Sequence, residues 1–402
     1  MSDSNRIENI RDFTLERNLD TIALKFKEES FTYGDLELMS RHMSTWFTAM
    51  ELKGEPIAFM MPNGFDLMVT YLACFKSGAV AMPLSRRLGA GELRNILIES
   101  GAKCLIIELD KLSLLEEIDL KKTSVQTVYV NGVVPREGYN NFYSLLGPAG
   151  EYNETQVSEN DPAVVFYTPS ANGGFNGITH TYSSMTGIFE STSAALENVT
   201  ENDRILVLDP QINISGFLET FTGLNYGATI FVHEGYRVED TIPALVNERP
   251  TLMITHIGVY EKILDSGMTE KDTFATLRGI YTGGKSISTE LQKKFYDHSG
   301  LIIQLGYGMT EAIWLTINRE LNSGGTSSIG KALPGVNIRI IGADGRNVSV
   351  GEVGEICVAG QMVTPGYWNN KNTTSEKLQH GWFITGDLGY VDTEGNIVIV
   401  QN

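Results

Sequence analysis

Short apolar runs alternate along this chain with stretches whose apolar positions recur at helical spacing, the pattern of strands interleaved with amphipathic helices. In the first part it predicts a helix over Gly34 to Met50, a strand over Ile57 to Met61, a helix over Phe65 to Lys76 and a strand over Ala79 to Met82. A helix over Gly91 to Ser100 and a strand over Lys103 to Ile107 follow. A second round predicts strands near Ala163 to Tyr167, Ile205 to Leu208, Ala228 to Val232, Leu252 to Thr255 and Leu301 to Gln304. Helices are expected between them near Met185 to Glu197, Ser215 to Leu224, Val238 to Asn247 and Thr289 to His298. Parallel neighbours need a crossover that a helix supplies, so the alternation implies an α/β fold with largely parallel sheets. After about Gly325 the pattern changes to strands separated by Gly, Asp and Asn turns, over Ile338 to Ile341, Gly354 to Val358 and Ile397 to Val400. The expected architecture is two sheet-and-helix subdomains, at 1–160 and 161–325, plus a smaller β-rich subdomain at 326–402. The polar stretch Tyr152 to Asn160 marks the first boundary.

Composition narrows the class. A chain of 402 residues exceeds what one core usually serves, and 42% hydrophobic with 20% charged residues are globular values. The balance of 31 basic against 49 acidic residues gives a net charge of −18, with no stripe of Lys and Arg, which argues against nucleic acid as a partner. An enzyme of anionic substrates with such a field needs local compensation, from Mg²⁺ and backbone N–H groups. Cys74, Cys104 and Cys357 have no paired or zinc-type spacing and sit in apolar contexts, so buried reduced thiols in a cytoplasmic protein are expected. The first residues, Met1 to Arg6, lack the apolar core of a signal peptide. Ile57 to Leu84 is interrupted by Pro62, Asn63, Asp66 and Lys76 and does not read as a membrane span.

Two runs carry the chemistry: Gly306-Tyr307-Gly308-Met309-Thr310-Glu311, and Gly381-Trp382-Phe383-Ile384-Thr385-Gly386-Asp387. Read as glycine-rich loops, they combine backbone that approaches phosphates closely, a flat phenol face for a purine, and a Glu311 carboxylate suited to Mg²⁺. The plainer readings are ordinary turns, a buried aromatic at Tyr307, a turn-capping Asp387, and a Glu311 that caps a helix starting near Ala312.

In this order the runs resemble the Tyr-Gly-x-Thr-Glu and Gly-Trp-x-x-Thr-Gly-Asp motifs of the acyl-adenylate-forming enzymes, which include acyl-CoA synthetases, aryl-acid ligases, luciferases and the adenylation domains of peptide synthetases. Gly354-Glu355-Ile356 through Gly366-Tyr367-Trp368 is similar to the stretch that family places between them. Phe31 to Leu36 and Ile57 to Leu84 are similar to its N-terminal half. The resemblance implies that a small carboxylic acid attacks the α-phosphate of ATP, pyrophosphate leaves, and the acyl-AMP passes its acyl group to the thiol of CoA or of a carrier protein's phosphopantetheine arm. It implies that Tyr307, with Gly308 and Met309, seats adenine, that Thr310 contacts the α-phosphate, that Glu311 binds Mg²⁺, and that Asp387 accepts both ribose hydroxyls.

The segment Tyr167 to Gly177 follows an expected strand and precedes an expected helix, so its glycines can bend around an anion at a helix N-terminus. It is similar by position to the family's phosphate loop, which reads Thr-Ser-Gly-Thr-Thr-Gly-x-Pro-Lys-Gly. Here Pro169, Ser170, Ala171 and Asn172 follow Thr168, and Asn176 stands where Lys is usual. Thr168, Ser170, Asn172, Gly173 and backbone amides are the candidate phosphate contacts. Gly279 to Ser286 satisfies the literal P-loop NTPase pattern, but Gly279 falls inside the expected strand Leu277 to Thr282, where that loop cannot begin. The resemblance instead makes Gly283 and Gly284 a border of the acyl pocket and adenine. Asn213 takes the place of a family His, and with Ser215 and Phe217 it forms the candidate acid pocket; its plainer reading is a helix cap. His180, His233 and His256 show no spacing for a triad or metal.

Where that family continues through Gly-Arg into a hinge and a C-terminal lid domain bearing a catalytic Lys, this sequence ends at Gln401-Asn402. The expectation is slow or undetectable adenylation by this chain alone. The alternative is a non-catalytic nucleotide- or acyl-binding module, or a subunit completed by a separate lid.

Overall fold

A computed structural model describes residues 18–133, 137–170, 173–284, 286–320 and 328–400. The chain forms two compact units, one of Met1–Met185, Pro210–Phe217 and Thr364–Lys371, the other of Thr186–Asp209, Leu218–Val363 and Asn372–Asn402.

The first unit opens with the hairpin β1 (Ile22–Phe26) and β2 (Glu29–Thr32), then α1 (Tyr33–Ala49). Thr32 and Asp35 form a capping box that fixes where α1 starts. There follow β3 (Pro56–Met60), α2 (Phe65–Ser77), β4 (Val80–Pro83), α3 (Ala90–Ser100) and β5 (Cys104–Glu108), each within a residue or two of the expected element. Strands β6 (Thr127–Asn131), β7 (Asn140–Asn141), β8 (Pro162–Pro169) and β9 (Phe175–Thr181) complete the series, and a late two-residue strand, Gly366–Tyr367, pairs with β9. The sheet order is Gly366–Tyr367, β9, β8, β4, β3, β5, β6, β7, parallel from β8 to β7 and antiparallel at the β9 edge. Every residue of β3 and β5 is buried, as expected of strands covered on both faces. One core gathers Ala58, Met60, Met82, Ile96, Leu105 and Val130. Between α1 and α2 the fully buried Lys76 donates to Glu37 at 2.9 Å, so its charge is paired where it has left water.

α4 (Tyr182–Ala195) and α5 (Ile214–Asn225) each carry residues of both units. The second unit is built on β10 (Arg204–Val207), β11 (Thr229–Val232), β12 (Leu252–Ile254), β13 (Gly279–Gly283) and β14 (Ile303–Met309), all parallel in the order β11, β10, β12, β13, β14. α6 (Val238–Asn247), α7 (Ile257–Asp265) and α8 (Thr289–Ser299) join them, packing Tyr260, Ile263, Leu291 and Phe295 against Leu206, Met253, Ile280 and Ile303. From β14 the ladder turns antiparallel through β15 (Ala312–Asn318), β16 (Ser328–Ala332) and the later strands β17 (Asn337–Ile341) and β18 (Gly354–Ala359), with Trp382–Val391 as β19 and Ile397–Ile399 as β20. At the unit's edge Arg278 makes a two-pronged pair with Asp203, at 2.8 and 2.9 Å, while Thr251 donates to the same carboxylate. Burial alone would raise the Asp203 carboxyl, but bonds from Arg278, Thr251 and the Thr200 amide outweigh it and hold the group below its usual range. Among the described residues no helix is long and apolar enough to cross a membrane.

Three expectations are corrected. The segment after β8 does not lead into a helix: its alternating Phe175-to-Thr181 stretch forms β9, which pairs antiparallel with β8, and α4 begins only at Tyr182. No helix starts near Ala312, because β14 runs through the first motif and turns into β15. Both motif runs lie largely in strands, not loops, since each stretch is recruited into the antiparallel ladder.

Candidate functional site

In the second unit, β14 carries Gly306, Tyr307, Gly308 and Met309 outward to a two-residue turn, Thr310-Glu311, before β15 returns. The pairing register shifts between Tyr307 and Met309, and Trp314 sits in the shifted stretch with φ of +47°. That conformation is costly for a bulky aromatic. It brings the indole over Gly306 and the Trp314 backbone against Gly308. A Cβ at Gly306 would stand 1.9 Å from the ring, and one at Gly308 would stand 2.6 Å from the Trp314 amide nitrogen. Neither glycine is at positive φ, so each is required by close packing, not by a left-handed turn or by a phosphate. Trp314 is the residue that reading the sequence missed. The signal was a large aromatic a few residues past a tyrosine flanked by glycines.

The second motif lies on β19. Thr385 donates to the Ile356 carbonyl on β18 at 2.8 Å and accepts from the Asp387 amide at 3.0 Å. Gly386 between them has φ of +89°, a conformation open to glycine and strained for other residues, so this position turns the strand and sets the direction of Asp387. Lys377, at the end of the short helix Lys371–Lys377, donates to the Ile384 carbonyl at 3.4 Å beside this turn.

The two motifs meet. The Tyr307 hydroxyl donates to Asp387 Oδ2 at 2.5 Å, across 80 residues of sequence. Burial, and then the adjoining Asp387 carboxylate, push the Tyr307 phenol far above its ordinary value, so it is a neutral donor throughout the physiological range. A carboxylate has about four lone-pair sites. The phenol takes one of them, on Oδ2.

Gly283 and Gly284 are exposed at the end of β13, with Gly283 paired to Gly306, so the strand end meets the first motif directly. Gly284 turns the chain at φ of +83°. The P-loop NTPase reading of this segment fails as expected, because Gly279 opens β13; Lys285 lies outside the described residues. Thr310 and Glu311 are half-buried on the hairpin turn. Among the described residues no three His, Cys, Asp or Glu side chains gather as a metal cage, so a cation at Glu311 would have at most two such side chains as ligands. That fits Mg²⁺, which takes one or two carboxylates and completes its shell with phosphate oxygens and water.

In the first unit, Thr168 is half-buried opposite Asn176 on the β8–β9 hairpin. Its turn is closed by the Ser170 amide on the Gly174 carbonyl at 2.8 Å and the Gly173 amide on the Ser170 carbonyl at 3.0 Å, with Gly173 at φ of +81°. Those two amides are therefore engaged within the turn. Asn172 lies outside the described residues. Asn213 is exposed at the head of α5, where its carbonyl accepts from the Phe217 amide, and Ser215 is half-buried one residue into the helix. The segment is held by Gln211, which accepts from the Gly64 amide and takes the Tyr71 hydroxyl on its carbonyl. Phe217 is fully buried against Tyr71 and Phe166, a core position. His256 caps α7 through Gly258, and His180 is buried beside Ser184. All three cysteines are free and buried.

A family profile described as AMP-binding enzyme matches residues 12–368. The indoleacetate–CoA ligase of Aromatoleum aromaticum is 27% identical over 380 residues, covering 93% of this chain and 74% of that protein. The 2-succinylbenzoate–CoA ligase of Bacillus subtilis is 28% identical over 387 residues, covering 94% of this chain and 74% of that protein. The crystal structure of apo MatB from Rhodopseudomonas palustris superposes with a TM-score of 0.88 at 22% identity, over 98% of this chain and 78% of that one, which establishes the likeness of fold. The chain thus spans about three quarters of the relatives' length.

Proposed function

The chain belongs to the AMP-binding enzyme family, and from that premise we propose that it is the nucleotide- and acid-binding body of an AMP-forming acid–thiol ligase. The observation that carries the reading is the Tyr307–Asp387 contact, which unites the two motif runs at one place in the second unit. In the first reaction a carboxylate oxygen attacks the α-phosphorus of ATP, the bond to the β-phosphate breaks and pyrophosphate leaves. In the second a thiol sulfur attacks the acyl carbon and AMP leaves. This chemistry asks the protein for positioning and charge stabilisation. Tyr307 offers its ring to adenine and Asp387 its free lone pairs to the ribose hydroxyls, with Gly308 and Met309 shaping the edge and Thr310 meeting the α-phosphate. Gly283 and Gly284 border the acyl end. Mg²⁺, when bound, supplies positive charge to the phosphates, and Glu311 is the carboxylate that holds it.

Thr168 and Ser170 contribute phosphate contacts through their hydroxyls, since the Ser170 and Gly173 amides are engaged within the turn, and Gly173 shapes that turn. Asn213 and Ser215 face the acid as polar groups, and Phe217 supports them from the core. The named relatives act on acids that carry an aromatic ring, which favours an aryl acid as substrate and CoA as acceptor, with a carrier-protein arm the second choice. Free buried thiols fit a cytoplasmic setting, where CoA and ATP are at hand. The test is carboxylate-dependent exchange of labelled pyrophosphate into ATP across a panel of aryl and fatty acids. Slow exchange with at least one aryl acid is expected, since Asn176 stands where the phosphate loop usually has Lys. AMP binding with no exchange for any acid favours the binding-module alternative.

A further inference from the structure

Asp387 is fixed along its own strand by the Thr385 hydroxyl and by the turn at Gly386, but these act on its backbone. Its carboxyl group has one donor among the described residues, the Tyr307 hydroxyl. A short side chain on a two-torsion arm, half-exposed, otherwise has several staggered positions to choose from. The bond removes that freedom before a nucleotide arrives. The donor is itself held: β14 pairs with β13 on one side and β15 on the other, and Trp314 packs its indole on Gly306 and its backbone on Gly308, to either side of Tyr307.

We propose that the Tyr307 hydroxyl is a positioning group for the ribose site: apart from any stacking by its ring, it holds the Asp387 carboxylate in the orientation that receives the two sugar hydroxyls. The idea rests on the reading that Asp387 binds ribose. The phenol contacts the carboxylate and acts on the sugar only through it. The ring and the hydroxyl of one residue therefore serve different parts of the nucleoside, and they separate experimentally. The half-buried, neutral phenol keeps its proton at working pH, so the contact persists as donor to carboxylate.

The experiment is calorimetric titration of the full chain with AMP and with 2′,3′-dideoxy-AMP, for wild type, Tyr307→Phe and Asp387→Ala, with thermal unfolding of each variant as the check on folding. Phe keeps the ring and removes only the hydroxyl. Expected for Tyr307→Phe is a loss of about ten-fold in AMP affinity, the scale of a hydrogen bond to a charged group, with dideoxy-AMP affinity unchanged within about two-fold. Equal losses for both ligands mean the hydroxyl merely supports the fold or the stack, and overturn the proposal. Unchanged or improved AMP binding overturns it as well. The parent reading is separable: if Asp387→Ala leaves AMP affinity intact, ribose is not held there. If Asp387→Ala loses AMP while Tyr307→Phe does not, only the positioning role falls.

Discussion

Substituting Gly306 by Ala tests whether the first motif is shaped by its β15 neighbour. The added Cβ would lie 1.9, 2.4 and 2.8 Å from three ring carbons of Trp314, far inside ordinary contact. The ring must therefore move by more than an ångström. Its freedom is small: the indole meets Tyr281 edge-on at 6.4 Å, and its backbone, at φ of +47°, is packed over Gly308. Overpacking of this kind costs about 1–3 kcal/mol. Replacing Trp314 by Gly removes the ring and tolerates the positive φ, so in that background Gly306→Ala should cost near zero. A double-mutant cycle by urea unfolding, followed by far-UV circular dichroism, should give a coupling of about 1 kcal/mol or more, as expected for residues in contact. Since Tyr307 sits between the crowded glycines, Gly306→Ala should also weaken AMP binding. If the substitution costs the same with and without the indole, or less than about 0.5 kcal/mol in wild type, the packing argument is wrong.

Other residues give further tests. Glu219 is fully buried with neither oxygen hydrogen-bonded, and burial, then the nearby Asp209 charge, push its carboxyl well above the usual range. The folded state keeps this proton above the unfolded value near 4.3 while the unfolded chain sheds it, so its contribution to stability falls as pH rises, by up to about 1.4 kcal/mol per unit. Glu219→Gln should accordingly gain on wild type between pH 5 and pH 8, read from urea midpoints; a constant difference contradicts the assignment. Arg278→Met leaves the nearly buried Asp203 without its guanidinium and should cost on the order of 3 kcal/mol, while Asp203→Asn with Arg278→Met together should cost less than the sum. The thiols of Cys74 and Cys104 are raised by burial, Cys104 to about 12, so both should stay inert to a disulfide reagent at pH 8 until urea unfolds the chain.

The repeating part of the architecture was open to reading from sequence because each element there is decided locally. α6 spans the residues that its spacing predicts, and β3, β5 and α2 fall within a residue or two. What escaped depended on partners far along the chain. β9 reads as a glycine-rich loop running into a helix until β8 pairs with it, and β19 reads as a loop until β18 and β20 flank it. α7 was missed although Ile257, Tyr260 and Ile263 recur at helical spacing, because His256, not a usual capping residue, starts it. For the site, sequence supplied Tyr307 and Asp387 separately, as ring and carboxylate. Their bond, and the wedge of Trp314 behind it, follow from strand pairing that no short motif encodes.

The nucleoside seat at Tyr307 and Asp387 is the central claim, and its most direct test is a titration of the full chain with AMP, beside Asp387→Ala. Saturable binding by wild type, weakened at least about ten-fold in the variant, is the predicted outcome. Equal affinity in the two proteins, or no binding by wild type, contradicts it.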